Sequence, residues 1–378
     1  MARNRVIYQS EALYVSEDAS QIATGKHKQL ERVQSANYNF SISRTDINQY
    51  GQLGRLDSLV LEAPTVAADF SYYLTDGMNE KALRFANSSD FSSNAVGFVS
   101  GHLVEGSGQN LYIIASPEGQ DVNIGTQEST GYTTIALGNA YVTDYTLDAS
   151  VGSLPTVSVS MEALNIRSDS QVSGSTAGFS GISSPAIQQS DGSEFTASLV
   201  TLAPASTGDG SITALRPGDI VLEFGTAATS GTKGPIASIA GDADGSHVQS
   251  VSLSIPMSRS PLERLGSRFP FARTADFPVT ASLSVSAIVN EITAANLREI
   301  IDDEVGSDIT ITFNDTSSPS VAKAKYQLKN AKLDSESFSS SIGSNKTVDL
   351  TFSVAIGGPS DSVNNVFFSG ANDSPAFT

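Results

Sequence analysis

The residues with chemistry to offer are three histidines, two acidic runs and one lysine cluster. His27, His102 and His247 could hold a metal or carry a proton. None has a second histidine at the i+4 spacing of a helical zinc pair, and His27, between Lys26 and Lys28, reads as a solvated loop residue. Asp242-Ala-Asp-Gly-Ser246 begins like a calcium loop, but its oxygen ligands stop and no Glu closes it. Asp302-Asp303-Glu304 offers paired carboxylates at the end of a helical pattern, where solubilising charge is the simpler reading. Lys323, Lys325, Lys329 and Lys332 lack the interleaved aromatics of a nucleic-acid surface. In an acidic chain they suit an acidic patch on a neighbouring subunit better. The sequons at Asn87, Asn314 and Asn345 imply no glycosylation without a secretory leader. No nucleophile elbow and no phosphate loop occurs. Neither a catalytic residue, a metal ligand nor a cofactor is expected.

Composition narrows the field further. The chain has 378 residues, no Cys, no Trp and a formal charge of -18. The missing Cys excludes disulfides, thiolate metal sites and Cys nucleophiles. So acidic a chain is a poor general binder of nucleic acid, because phosphate binding runs on Lys and Arg. No apolar run follows Met1 and none reaches membrane length, so neither a secretory signal nor a membrane span is expected, and folding in a cytoplasm is.

The elements that must position these residues are strands, because most apolar stretches alternate with period two. Val251-Ser-Leu-Ser-Ile-Pro-Met-Ser-Arg259 repeats the pattern of Ala36-Asn-Tyr-Asn-Phe-Ser-Ile-Ser-Arg44, 215 residues earlier. Val33-Gln34-Ser35 matches Val248-Gln249-Ser250, and Gly51 matches Gly266. A second block repeats at a spacing of 191: Leu137, Asn139 and Ala140 with Leu328, Asn330 and Ala331, then Gly152-Ser153 with Gly343-Ser344 and Thr156-Val157 with Thr347-Val348. Two matched blocks in one order indicate a tandem duplication. The chain divides into a first β domain over 1–167, a Ser/Gly-rich linker or insertion over 168–212, and a second β domain over 213–378. Helical spacing over Thr293–Glu304, and over Asn79–Ala86 at the matching place, gives each copy one helix. The fold class is mainly β: two tandem sandwich or tube-barrel domains, each with one flanking α-helix.

Arg32-Val-Gln-Ser-Ala-Asn-Tyr-Asn-Phe40, Ser43-Arg-Thr-Asp-Ile-Asn-Gln-Tyr-Gly-Gln52, Leu61-Glu-Ala-Pro-Thr-Val66 and Asp69-Phe-Ser-Tyr-Tyr-Leu-Thr-Asp-Gly77 together resemble the tail tube (major tail) proteins of long-tailed bacteriophages. The likeness covers roughly residues 5–85, and in the second copy Pro261-Leu-Glu-Arg-Leu-Gly266 replaces the Asn-Gln-Tyr-Gly-Gln run. The resemblance implies β-sandwich domains whose strands join those of neighbours into an inner barrel, with long loops reaching adjacent rings. A chain with two such domains resembles the fused type, three chains forming a pseudo-sixfold ring; six chains with one copy outward is the alternative. The implied partners are the chain itself, other tail proteins at the tube ends, and DNA that passes without specific binding, in a virion tail built in the host cytoplasm, with no membrane. Lumen candidates are the small uncharged residues Asn37, Asn39, Ser41, Ser43, Ser252, Ser254 and Ser258. Subunit or ring contacts are assigned to Arg44, Asp46, Tyr50, Gly51, Arg55, Arg259, Glu263, Gly266 and Arg268. A different class, a carbohydrate-binding or adhesive β-sandwich such as a tail fibre or surface adhesin, would need an aromatic platform, and Tyr72-Tyr73 is the pair available.

Overall fold

The computed structural model describes residues 11–88, 95–103, 108–116, 120–122, 131–188, 195–196, 198–205, 215–216, 220–224, 246–289, 306–315, 318, 321–339 and 345–371. The first half runs β1 (Glu11–Ser16), β2 (His27–Gln29), β3 (Val33–Ser41), β4 (Thr45–Ile47), β5 (Asp57–Leu59) and β6 (Thr65–Tyr73). Two short helices follow, α1 (Met78–Ala82) and α2 (Ser100–Leu103), then β7 (Gln109–Ala115), β8 (Tyr132–Ser150), β9 (Thr156–Ala163) and β10 (Asn165–Ser175). Next come β11 (Gly178–Ser183) and β12 (Leu199–Leu202). The second half runs β13 (Ile220–Phe224), β14 (Ser246–Pro256), β15 (Arg259–Leu262), β16 (Ala272–Ala275), β17 (Val279–Val289), β18 (Ser307–Asn314), β19 (Ala322–Ser339), β20 (Thr347–Ile356) and β21 (Asn365–Gly370).

Seven antiparallel pairings of the first half recur in the second. β1–β7, β3–β6, β4–β5 and β6–β9 become β13–β18, β14–β17, β15–β16 and β17–β20. β7–β8, β8–β9 and β8–β10 become β18–β19, β19–β20 and β19–β21. The irregularities repeat too. The register breaks between Val33 and Ser35 and again between Val248 and Ser250, so Gln34 and Gln249 occupy equivalent bulges. Asn139 and Asn330 are left-handed at φ 53° and 56°, a conformation Asn tolerates better than most residues. Each backbone N–H donates to the opposite strand, to Asn110 Oδ1 and Asp308 Oδ1 at 3.1 Å.

Both halves are two-layered. The long strands β8 and β19 belong to both layers, because each bends at a bulge, at Thr143 and at Asp334. Their first parts pair in outer sheets with β7 and β10, or β18 and β21. Their second parts pair in an inner sheet with β9 or β20. No sheet closes into a barrel among the described residues. Segment 168–212 is folded where described: most of β10, with β11 and β12, closes a second small core around Tyr14, Tyr132, Phe179, Ile182, Val200 and Leu202. The helix expected over 79–86 stops at Ala82, and Arg84 turns left-handed at φ 69°. The one expected over 293–304 lies outside the described residues.

The two halves share the main core. Phe98, from the first half, stacks on Phe85 at 4.4 Å and meets Tyr326 and Phe368 of the second half at 5.9 and 5.4 Å. Its N–H donates to Val366 O at 2.8 Å. Beneath it the Tyr145 and Tyr326 hydroxyls lie 2.7 Å apart. Tyr145 and Tyr72 donate to Glu80 Oε1 at 3.3 and 2.9 Å. Burial pushes the Glu80 carboxyl up to about 7, against the opposing pull of these hydroxyls. A carboxyl raised on folding stabilises the fold fully below its unfolded value and loses that contribution as pH rises to its folded value. Urea unfolding should therefore show a contribution of about 3 kcal/mol that fades between about pH 4.5 and 7. Glu80→Gln should flatten that slope.

Candidate functional site

The inner sheet is the surface on which both halves meet. Its order is β3-β6-β9-β8-β14-β17-β20-β19, eight antiparallel strands. The pairing of β8 with β14 is the joint between the halves, running from Ser150 opposite Ser250 to Asp144 opposite Pro256. One face of the sheet carries the core and the other is polar. A belt of hydroxyls crosses the polar face through Ser35, Ser71, Ser158, Thr146, Ser254, Ser282 and Ser353. Carboxylates sit among them and accept from the hydroxyls: Asp69 from Ser160 at 2.7 Å, Asp144 from Thr146 at 2.9 Å, Asp349 from Ser286 at 2.6 Å. Partial burial raises the Asp144 carboxyl. Lys332, at the margin, is the only Lys or Arg on the strand segments that build this sheet.

The stagger of the sheet follows from these registers. The row from Ser35 reaches Ser254, whereas the residue equivalent to Ser35 is Ser250. Each half therefore advances four residues over four strands. One residue of rise (about 3.3 Å) per strand spacing (about 4.8 Å) tilts the strands by about 35°. That is the tilt at which sheets close into barrels.

The two ends of the sheet are open. Among the described residues β3 pairs only with β6, and the second part of β19 only with β20. Their equivalents, β14 and the second part of β8, pair with each other. Burial records the difference. Tyr38, Phe40 and Ile42 are 42, 57 and 42% exposed, while Leu253, Ile255 and Met257 at the same places are 0, 0 and 1% exposed. Phe338, equivalent to the buried Leu147, is likewise half-exposed.

The lumen candidates Asn37, Asn39, Ser41, Ser252 and Ser254 lie on the polar face of β3 and β14, with Ser43 and Ser258 just beyond the strands. Asn37, Asn39, Ser41, Ser43 and Ser258 are exposed, and Ser252 and Ser254 half-buried between strands. The two hairpins β4–β5 and β15–β16 hold the remaining candidates. Arg55 pairs with Asp46 at 3.0 Å on the exposed flank of the first hairpin. Gly51 and Gly266 take the same left-handed turn, φ 86° and 88°, which favours Gly. Beside them Tyr50, Leu53 and Leu265 are fully exposed, as are the apolar tips of few monomers. Arg44, Glu263 and Arg268 are exposed.

Arg259 has a different place from its equivalent Arg44. It folds back onto the first half, over the Tyr141 ring at 4.8 Å, and donates to the His102 and Arg273 carbonyls. Arg273 in turn pairs with Glu162 at 3.0 Å. Burial lowers the Arg259 pKa. This clamp seals the β8–β14 joint at its hairpin end. The sequence holds no signal for it, since Arg44 and Arg259 sit in the same motif. Tyr141 and Glu162, which receive the clamp, become Lys332 and Ser353 in the repeat.

The titratable clusters resolve plainly. His27 is buried at the start of β2, not solvated, because its ring packs edge-on to Tyr112. Burial pushes it down to about 4, and burial with the Arg259 and Arg84 charges pushes His102 to about 3. No metal-holding cluster occurs among the described residues. Lys323 pairs with Asp315 at 3.5 Å, and Lys329 lies over Phe367 at 5.3 Å. The acidic runs at 242–244 and 302–304 lie outside the described residues. Tyr72 is buried and Tyr73 is not, on opposite faces, so the pair forms no platform.

No protein-family model matches the chain, and no curated protein does. Among solved structures, a chain of the anti-feeding prophage baseplate, determined by cryo-EM and 6-fold symmetrised, aligns at 15% identity. The match covers 32% of this chain and 78% of that one, with a TM-score of 0.24. An overlap of that quality carries no functional inference.

The clamp yields a contrast between equivalent residues. Arg259→Ala should lower the unfolding free energy of the isolated chain by about 2–3 kcal/mol, as removal of one buried charged partner does. Arg44→Ala should change it by less than about 0.5 kcal/mol, as exposed positions do. Urea titration of the two variants checks this.

Proposed function

We propose that this chain is a structural subunit that closes into rings through its two open sheet edges, and that the rings stack into a tube. The observation that carries the reading is the joint between its own halves. A chain that pairs β8 with β14 inside itself leaves one edge of each equivalent, the second part of β19 and β3, without a partner strand among the described residues. Strand directions alternate across eight strands, so β19 of one chain meets β3 of the next antiparallel, as the internal joint requires. A head-to-tail contact of this kind makes a ring when its rotation closes. Closure also removes the exposed edges that would otherwise template aggregation.

Three chains of eight strands give a ring of 24, with six quasi-equivalent halves side by side. At the spacing and tilt above, its backbone diameter is about 45 Å. The hydroxyl and carboxylate face then lines the lumen, with almost nothing to grip phosphate, and DNA passes without sticking. Both hairpins leave the sheet at the same end, so their apolar tips crown one rim of the ring. The exposed Val151 and Leu154 sit at the β8–β9 turn on the other rim, which suits head-to-tail stacking. This is the work of a phage tail tube: a passive conduit in a virion tail, capped by other tail proteins, with no catalytic role. The adhesive alternative rests on Tyr72-Tyr73, which forms no platform.

Electron microscopy of the full chain at high concentration tests the reading. Hollow tubes or rings with three chains per ring are expected; a monodisperse monomer under those conditions would overturn it. Tyr50→Ser with Leu53→Ser and Leu265→Ser should leave single rings intact and abolish stacks.

A further inference from the structure

The joint inside the chain fixes more than which edges meet. The geometry points to a specific register between neighbouring chains, with Asn39 of β3 directly opposite Ser337 of β19 in the next copy; this rests on the ring reading above. In the internal joint Ser252 faces Asp148, Leu253 faces Leu147, Ser254 faces Thr146 and Ile255 faces Tyr145. The first repeat carries β14 onto β3 at a spacing of 215, and the second carries β8 onto β19 at 191, with the bulges of each pair superimposed. Transferred, the pairs become Asn37 with Ser339, Tyr38 with Phe338, Asn39 with Ser337 and Phe40 with Glu336. The Met257 N–H, which donates to Thr143 O at 2.8 Å, becomes the Ile42 N–H donating to Asp334 O.

Three of the four transferred pairs suit the residues that make them. Tyr38 and Phe338, both half-exposed in the lone chain, cover each other on the core face. Asn37, Asn39, Ser337 and Ser339 carry the polar face across the joint with uncharged side chains. A slip of one residue would put Asn39 against Phe338 or Glu336 and turn one strand's apolar side to the lumen, so the alternation itself resists it. A groove of ≈ 170 Å³ beside the start of β3, lined by Leu13, Leu30, Val33, Ala36 and Ile113 among others, lies on the core side of this open edge. In the second half the residue equivalent to Ala36, Val251, is buried opposite Ala149.

The joint between chains also differs chemically from the one within. Phe40 faces Glu336 where Ile255 faces Tyr145, and Arg44 faces Lys332 where Arg259 lies over Tyr141. Burial raises the Glu336 carboxyl already in the lone chain. The two kinds of joint therefore alternate around the ring, and the one between chains lacks the arginine clamp.

The chain has no cysteine, so engineered pairs report the register without background. Asn39→Cys with Ser337→Cys, both exposed sites, should oxidise to covalent oligomers between chains, at least about tenfold more than Asn39→Cys with Ser335→Cys. The latter pair is offset by two residues, about 7–8 Å, beyond disulfide reach. Non-reducing gels read the oligomers, and microscopy of the reduced variants shows whether rings form. If rings form and the offset pair, or Asn39→Cys alone, cross-links as well as the predicted pair, the register is wrong and the ring reading stands. If the predicted pair fails to cross-link and no rings form in variant or parent, both fall.

Discussion

The structure depends on one requirement: every strand edge must find a partner for its backbone N–H and C=O groups. Between the two halves that requirement is met where β8 of the first takes β14 of the second. Duplication then makes the solution general. The halves share seven pairings, four-residue stagger and equivalent bulges, so whatever joins first half to second can join second half to a new first half. The stagger of one residue per strand matters because it sets a barrel tilt whatever the number of repeats. Copy number is then a matter of curvature, not of hydrogen-bond register.

Around that constraint the side chains divide cleanly. The core face is apolar and shared between halves, with Phe98, Tyr145 and Tyr326 as the point where the two interlock. The polar face is made of short hydroxyl side chains that support carboxylates, which keeps it hydrated, negative and smooth. Arg259 shows how the duplication has diverged. One copy of the motif spends its arginine on sealing the internal joint, while the other leaves Arg44 exposed at the open edge.

Much of this was legible in the sequence. Period-two alternation marked β3 and β14, and the matched Gln34/Gln249, Gly51/Gly266 and Asn139/Asn330 fall at bulges and left-handed turns, where backbone geometry selects the residue. The segment beyond residue 167 reads as a linker or insertion because its apolar residues are sparse. Val172, Phe179, Ile182, Val200 and Leu202 close a core only with Tyr14, Tyr112, Ile114 and Tyr132 from β1, β7 and β8. The β8–β14 pairing and the burial of His27 were out of reach for the same reason: each depends on partners far away in sequence. The fate of the two equivalent arginines was hidden too, since it is decided by what stands opposite, Tyr141 or Lys332.

The central claim is that β3 and the second part of β19 are open in the lone chain and paired in the assembly. Amide hydrogen exchange, compared between dilute monomer and assembled rings, tests it most directly. Protection should rise in Asn37–Ser41 and Ser335–Ser339, while β14, already paired on both sides, stays unchanged. Assemblies that form with exchange in those two strands unaltered would contradict the account.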